Sequence, residues 1–141
     1  MGEQKVKTLQ GDELKSIKET GKKKSKKNPK GRIYIHSTYN NTIITVTNET
    51  GDVLTWGSAG MIGFKGSKKS TPYAAQRTME EIGKKIKDMG MQEVEIYVNG
   101  IGTGRDSAIR AMMGSGMNVK TIRDLTPVPH GGVRKKKPRR V

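Results

Sequence analysis

The chain has 141 residues, with 28 Lys or Arg against 13 Asp or Glu, a net charge of +15 and only 31% hydrophobic residues. That length suits one small domain and leaves little room for two. Zero cysteine excludes a disulfide framework, a thiolate zinc site and a cysteine nucleophile, and no apolar run approaches the roughly 20 residues that span a bilayer.

Residues 1–30 carry ten Lys and four acids, without the apolar segment of a signal peptide. Met1-Gly2 opens like a myristoylation signal, but Val6 stands where Ser or Thr is needed. Like charges in Lys22–Lys24 and Lys26-Lys27 repel one another, so this basic extension is expected to stay disordered until bound. The fold is expected in residues 31–130. Arg32–His36 reads as a strand, Tyr39-Asn40-Asn41 as a turn, and Thr42–Thr47, rich in β-branched residues, as a second strand. Asn48–Asp52 is a further turn and Val53–Trp56 a third strand, which completes an antiparallel meander.

The pattern then changes. Thr71 and Pro72 make a helix start, a hydroxyl N-cap followed by proline at the first helical position. Ala75, Met79, Ile82, Ile86 and Met89 follow at helical spacing, and Gly90 stops the run. Val94, Ile96 and Val98 alternate with polar neighbours as a strand. A glycine-rich turn, Asn99–Gly104, leads to a short helix with Ala108, Ile109, Met112 and Met113 on its apolar side. A last strand runs from near Val119 to before Pro127. The order βββαβαβ implies an α/β fold, a mixed five-stranded sheet with helical crossovers. Residues 131–141, with six basic residues and no acid, form a second basic tail.

Two segments could carry chemistry. Gly60–Thr71 combines glycines with Lys65, Lys68 and Lys69 and ends on a helix N-terminus, where outward N–H groups would seat a phosphate. Phe64 within it is expected to tuck into the core rather than serve as a stacking platform. Gly100–Arg105 lies where dinucleotide folds bind pyrophosphate, but Arg105 or Ser107 occupies the third glycine position. Asp124, about twenty residues on, agrees only loosely with a ribose-binding acid. Either a structural turn or an RNA-backbone contact, with Arg105 and Arg110 pointing from the helix, remains open there.

Catalysis and metal binding are not expected. His36 and His130 have no Ser–acid partner at recognisable spacing, and two His without Cys make no common zinc set. The strand order resembles the ribonuclease H type of fold, yet the first strand offers no carboxylate for a two-metal centre. No cofactor is expected. The two basic tails favour a polyanion, nucleic acid over membrane, because neither tail interleaves Trp, Phe or Leu. On charge alone, a DNA-packaging protein would look similar.

Four stretches together resemble the small-subunit ribosomal protein eleven family: Ser37–Thr42, Gly63–Gln76, Gly102–Arg105, and Asp124–His130 with its basic tail. The resemblance covers about residues 31–141. It implies a ribonuclease H-like fold without catalysis, in a cytoplasmic, ribosome-bound structural protein on the platform of the small subunit. The implied partners are small-subunit rRNA, neighbouring platform proteins, and messenger RNA near the exit site. The implied rRNA contacts are Asn40 and Asn41, Lys65, Gly66, Ser67, Lys68, Lys69, Ser70 and Thr71, and Arg105. They continue through His130, Arg134, Lys135, Lys136, Lys137, Arg139 and Arg140, with Arg110 added from its place on the helix. The basic N-terminal extension would suit an archaeal member.

Overall fold

The computed structural model describes residues 29–137, so the expectations for residues 1–28, and for Arg139 and Arg140, lie outside the described residues. Strands β1 (Lys30–Ser37), β2 (Thr42–Thr47) and β3 (Val53–Ser58) form the meander. A 3₁₀ turn (Gly66–Ser70) leads into helix α1 (Pro72–Asp88), and β4 (Glu93–Asn99), α2 (Gly104–Gly114) and β5 (Asn118–Asp124) complete the chain. Lys30, assigned to the extension by sequence, already opens β1, and the Pro29 carbonyl accepts hydrogen bonds from the Gln92 and Glu93 N–H groups.

The sheet order is β3-β2-β1-β4-β5. Strands β1 to β3 pair antiparallel, whereas β4 runs parallel to β1 and β5 parallel to β4. Both crossovers, β3–α1–β4 and β4–α2–β5, therefore step toward the same edge. Right-handed connections stepping one way place their helices on one face, and α1 and α2 pack against each other there. The core lies between: Ile33, Ile35, Ile44, Val46, Val94, Ile96 and Val98 from the sheet meet Met79, Ile82, Ile86, Ala108 and Met112 from the helices.

Helix α1 follows its sequence signals. The Thr71 hydroxyl accepts from the Ala74 N–H, Pro72 occupies the first turn, and Gly90 at φ +75° ends the run. Met89 is only half-buried at the C-cap, and Met91 takes the core place beside Ile86. In α2 the apolar stripe is narrower than the spacing suggests. Ala108 and Met112 are buried, Ile109 packs at the margin, and Met113 turns outward.

Strand direction decides what gathers where. The carboxyl ends of β1, β3, β4 and β5, the start of β2, and the N-termini of both helices all lie at one end of the sheet. In open α/β sheets the carboxyl ends of the strands are where ligands bind.

Candidate nucleic-acid interface

At that end the Asn40-Asn41 turn is built around Thr38. Its hydroxyl accepts from the Asn40 and Asn41 N–H groups, while the Asn41 side-chain oxygen accepts from the Thr42 N–H at 2.9 Å. The turn is thus held by its own atoms, which leaves Asn40 and the ring of Tyr39 exposed to solvent.

The lysine-bearing loop is not the open strap its glycines suggest. It coils into the 3₁₀ turn, with Ser70 Oγ donating to the Ser67 carbonyl at 3.0 Å and Thr71 Oγ1 to the Lys68 carbonyl at 2.8 Å. Lys65 and Lys68 point into solvent, whereas the Lys69 stem lies 3.7 Å from the Cβ position of Gly60. Phe64 is only half-buried. It meets the exposed Tyr73 ring edge-on at 5.9 Å instead of entering the core, which corrects its expected place. The expected phosphate seat at the N-terminus of α1 is also largely filled. Pro72 has no N–H, and the Thr71 hydroxyl already takes the Ala74 N–H. Positive potential at this loop therefore comes mainly from lysine side chains rather than from open helix donors.

The second glycine-rich loop turns its glycines inward. A Cβ on Gly100 or Gly102 would collide with the Ser37–Thr38 backbone, and one on Gly104 would lie 2.5 Å from Thr42 Oγ1 and 2.8 Å from Ala75 Cβ. Gly102 N–H donates to the Ser37 carbonyl at 3.0 Å, and Gly100 N–H to Thr126 Oγ1 at 3.1 Å. Thr103 Oγ1 donates to the Ser70 carbonyl at 2.9 Å, which ties this loop to the 3₁₀ turn. Sequence reasoning missed that link, since nothing local joins residues 33 positions apart.

Arg105 does not point away from its helix. Its guanidinium donates to the Gly100 carbonyl at 2.8 Å and pairs with Asp124, bridging the loop to the end of β5. That pairing, followed by the Thr126 hydroxyl and N–H, holds the Asp124 carboxyl well below the usual carboxylate range. Asp124 is thus the partner of Arg105 rather than a ribose ligand. The structural-turn alternative accounts for this loop, and α2 carries Asp106 in its first turn where an anion would otherwise sit.

The other expected contacts divide. His130 and Arg134–Lys137 lie on an exposed segment that leaves this same end after Asp124 without regular secondary structure. Arg110 does not join them. It lies with Lys84, Lys87 and Glu80 along the groove between the two helices, away from the lysine loop. Among the described residues no group of three or more His, Asp and Glu is close enough to hold a metal ion, and no helix is long and apolar enough to cross a membrane.

One end of the sheet thus presents lysines, a braced asparagine turn and a basic tail, while its own carboxylates are paired with arginine. Residues 31–140 match the family model for Ribosomal protein S11, and the chain belongs to that family, whose members are small-subunit ribosomal proteins that bind rRNA.

Proposed function

We propose that this chain is a structural, non-catalytic constituent of the small ribosomal subunit, seated on the platform near the exit for messenger and transfer RNA. The observation that carries the rRNA-facing assignment is that the Asn40-Asn41 turn and the Lys65–Thr71 loop share the end of the sheet from which the chain leaves after Asp124 into the exposed, basic His130–Lys137 segment. Lys65, Lys68 and Lys69 neutralise phosphates, and Arg134 to Lys137, continued in sequence by Arg139 and Arg140, follow an rRNA groove. Gly66, Ser67, Ser70 and Thr71 shape the loop that presents those lysines. Arg105 acts one step back, by holding the Gly100–Gly104 loop, and Arg110 contributes a separate cation on the helix face. Neighbouring platform proteins and messenger RNA near the exit complete the partners. The basic segment ahead of the matched residues favours the archaeal type.

Sedimentation of a gently lysed cell extract tests the reading. The protein should co-migrate with small subunits on a sucrose gradient and survive a moderate salt wash. Recovery in the free or DNA-bound fraction would overturn it.

A further inference from the structure

The helices cover one face of the sheet, and on the other the strand register lines up a row of side chains. Trp56 pairs with Thr45, Thr45 with Tyr34, Tyr34 with Tyr97, and Tyr97 with Arg123. Gly57, next to Trp56, points at Ile82 of α1, so Trp56 faces the opposite way and is 52% exposed. One half of the row is closed: Tyr34 and Tyr97 stack at 5.2 Å, and Arg123 lies over the far face of Tyr97 at 6.0 Å. Tyr97 is also pinned, because its hydroxyl donates to Glu95 Oε2 at 3.0 Å. The other half is open. Between Tyr34 and Trp56 stands only Thr45, and neither the outer face of Tyr34 nor Trp56 has an aromatic partner among the described residues.

The dimensions suit a flat ring. Neighbouring strands lie about 4.8 Å apart, so residues two strands apart stand about 9.6 Å from each other at the backbone. A base stacked at about 3.4 Å from each of two rings needs about 7 Å, and a lean of the two half-exposed rings closes the remainder. We infer that this face is a second nucleic-acid surface, on which an unpaired nucleobase inserts between Tyr34 and Trp56 over Thr45. Charge selects this occupant over a protein segment. The acids of the face, Glu93 and Glu95, are already paired with its own Lys30 and Arg32, and Arg123, two strands from Tyr34 beyond Tyr97, adds a cation on the same face for the phosphate of a neighbouring nucleotide. Stacking on sheet aromatics is sequence-tolerant and works without base-edge hydrogen bonds.

Trp56 is the single tryptophan of the chain, so its emission reports on this slot alone. Full-length protein is titrated with a short unstructured oligoadenylate and, separately, with inorganic polyphosphate, binding being followed by the anisotropy of a label on the oligonucleotide or by its displacement. Oligoadenylate should quench Trp56, whereas polyphosphate, which engages only the cations, should not. Tyr34→Ala should weaken oligoadenylate binding by roughly five- to 150-fold at salt that screens the tails. Thr45→Tyr fills the slot with a side chain suited to a strand and without core contacts, so it should remove the quench while leaving the melting temperature and polyphosphate binding unchanged. Bound oligoadenylate that leaves Trp56 emission unaltered would overturn the inference, as would a quench that persists in Thr45→Tyr. The face would then be a seat for a neighbouring protein.

Discussion

The two glycine-rich loops at the carboxyl end of the sheet look alike in sequence and behave as opposites. In Gly60–Thr71 the Cβ positions of Gly63 and Gly66 meet nothing within 4 Å, and Lys65 and Lys68 reach into solvent. In Gly100–Gly104 the glycines are where the chain has no room for a side chain, and the one arginine is turned back onto the protein. Glycine there serves close approach of protein to protein. A glycine-rich loop before a helix is thus a statement about space, and the neighbours decide whether that space belongs to a ligand or to the fold.

The largest test of this contrast is a pair of alanine substitutions. Gly102→Ala forces a methyl against the Ser37–Thr38 backbone and should destabilise the fold by about 3 kcal/mol, the upper range of overpacking, lowering the melting temperature by roughly 10–20 °C. Gly66→Ala, at φ +58° with open space around it, should lose only about 1 kcal/mol of backbone strain. Similar losses by thermal unfolding would erase the distinction between the loops.

Binding should divide the other way. Replacing Lys65, Lys68 and Lys69 with Ala should lower the slope of log affinity against log salt for a small-subunit rRNA fragment by about 2–3. Stability should stay within about 0.5 kcal/mol, because none of the three contributes to the core. An unchanged affinity and slope would remove this loop from the rRNA interface.

Local rules account for most of the fold. The β-branched run of Thr42–Thr47, the Thr71-Pro72 start of α1 and the alternation of Val94, Ile96 and Val98 each appear as the element they suggest. What stayed hidden was non-local. The coil of Gly66–Ser70 depends on hydroxyls of Ser70 and Thr71 reaching back three residues, a weak signal that glycine and lysine content overrides by eye. The inward glycines needed knowledge that β1 and β4 are parallel neighbours, since only that brings Gly102 onto Ser37. The Trp56–Thr45–Tyr34–Tyr97 row is likewise a product of register across four strands. The spacing of Asp124 agrees only loosely with a ribose-binding acid, and its actual partner, Arg105, lies 19 residues earlier in sequence, where no local pattern links the two.

Arg105 sharpens the comparison at a smaller scale. Lysine keeps the charge but not the fork that reaches both the Gly100 carbonyl and Asp124. Arg105→Lys should therefore cost about 1 kcal/mol of stability, one charge-assisted hydrogen bond, with little effect on rRNA affinity. A loss of affinity at unchanged melting temperature would make Arg105 a direct contact and move the second loop into the interface.

The smallest effect separates the loops by their response to acid. Asp124 has its folded pKa lowered, first by the Arg105 hydrogen bond and then by Thr126. Its contribution is therefore fully present above the unfolded value of about 3.9 and is lost as pH falls toward the folded value. Wild type should exceed Asp124→Asn in melting temperature by a constant margin from about pH 8 down to about pH 5, and the margin should shrink below about pH 4. Asp52 and Glu80 are lowered as well, by their hydrogen bonds to Asn48 and Gln76, so the acid limb of either protein alone is not diagnostic and only the difference isolates Asp124. The lysine loop contains no carboxylate, and its alanine variants should run parallel to wild type through the same acid range. The packed loop would then answer to protons and the exposed loop to salt. A margin for Asp124→Asn that stays constant down to about pH 2 would instead mean that the Arg105–Asp124 pair adds no stability that titration can remove.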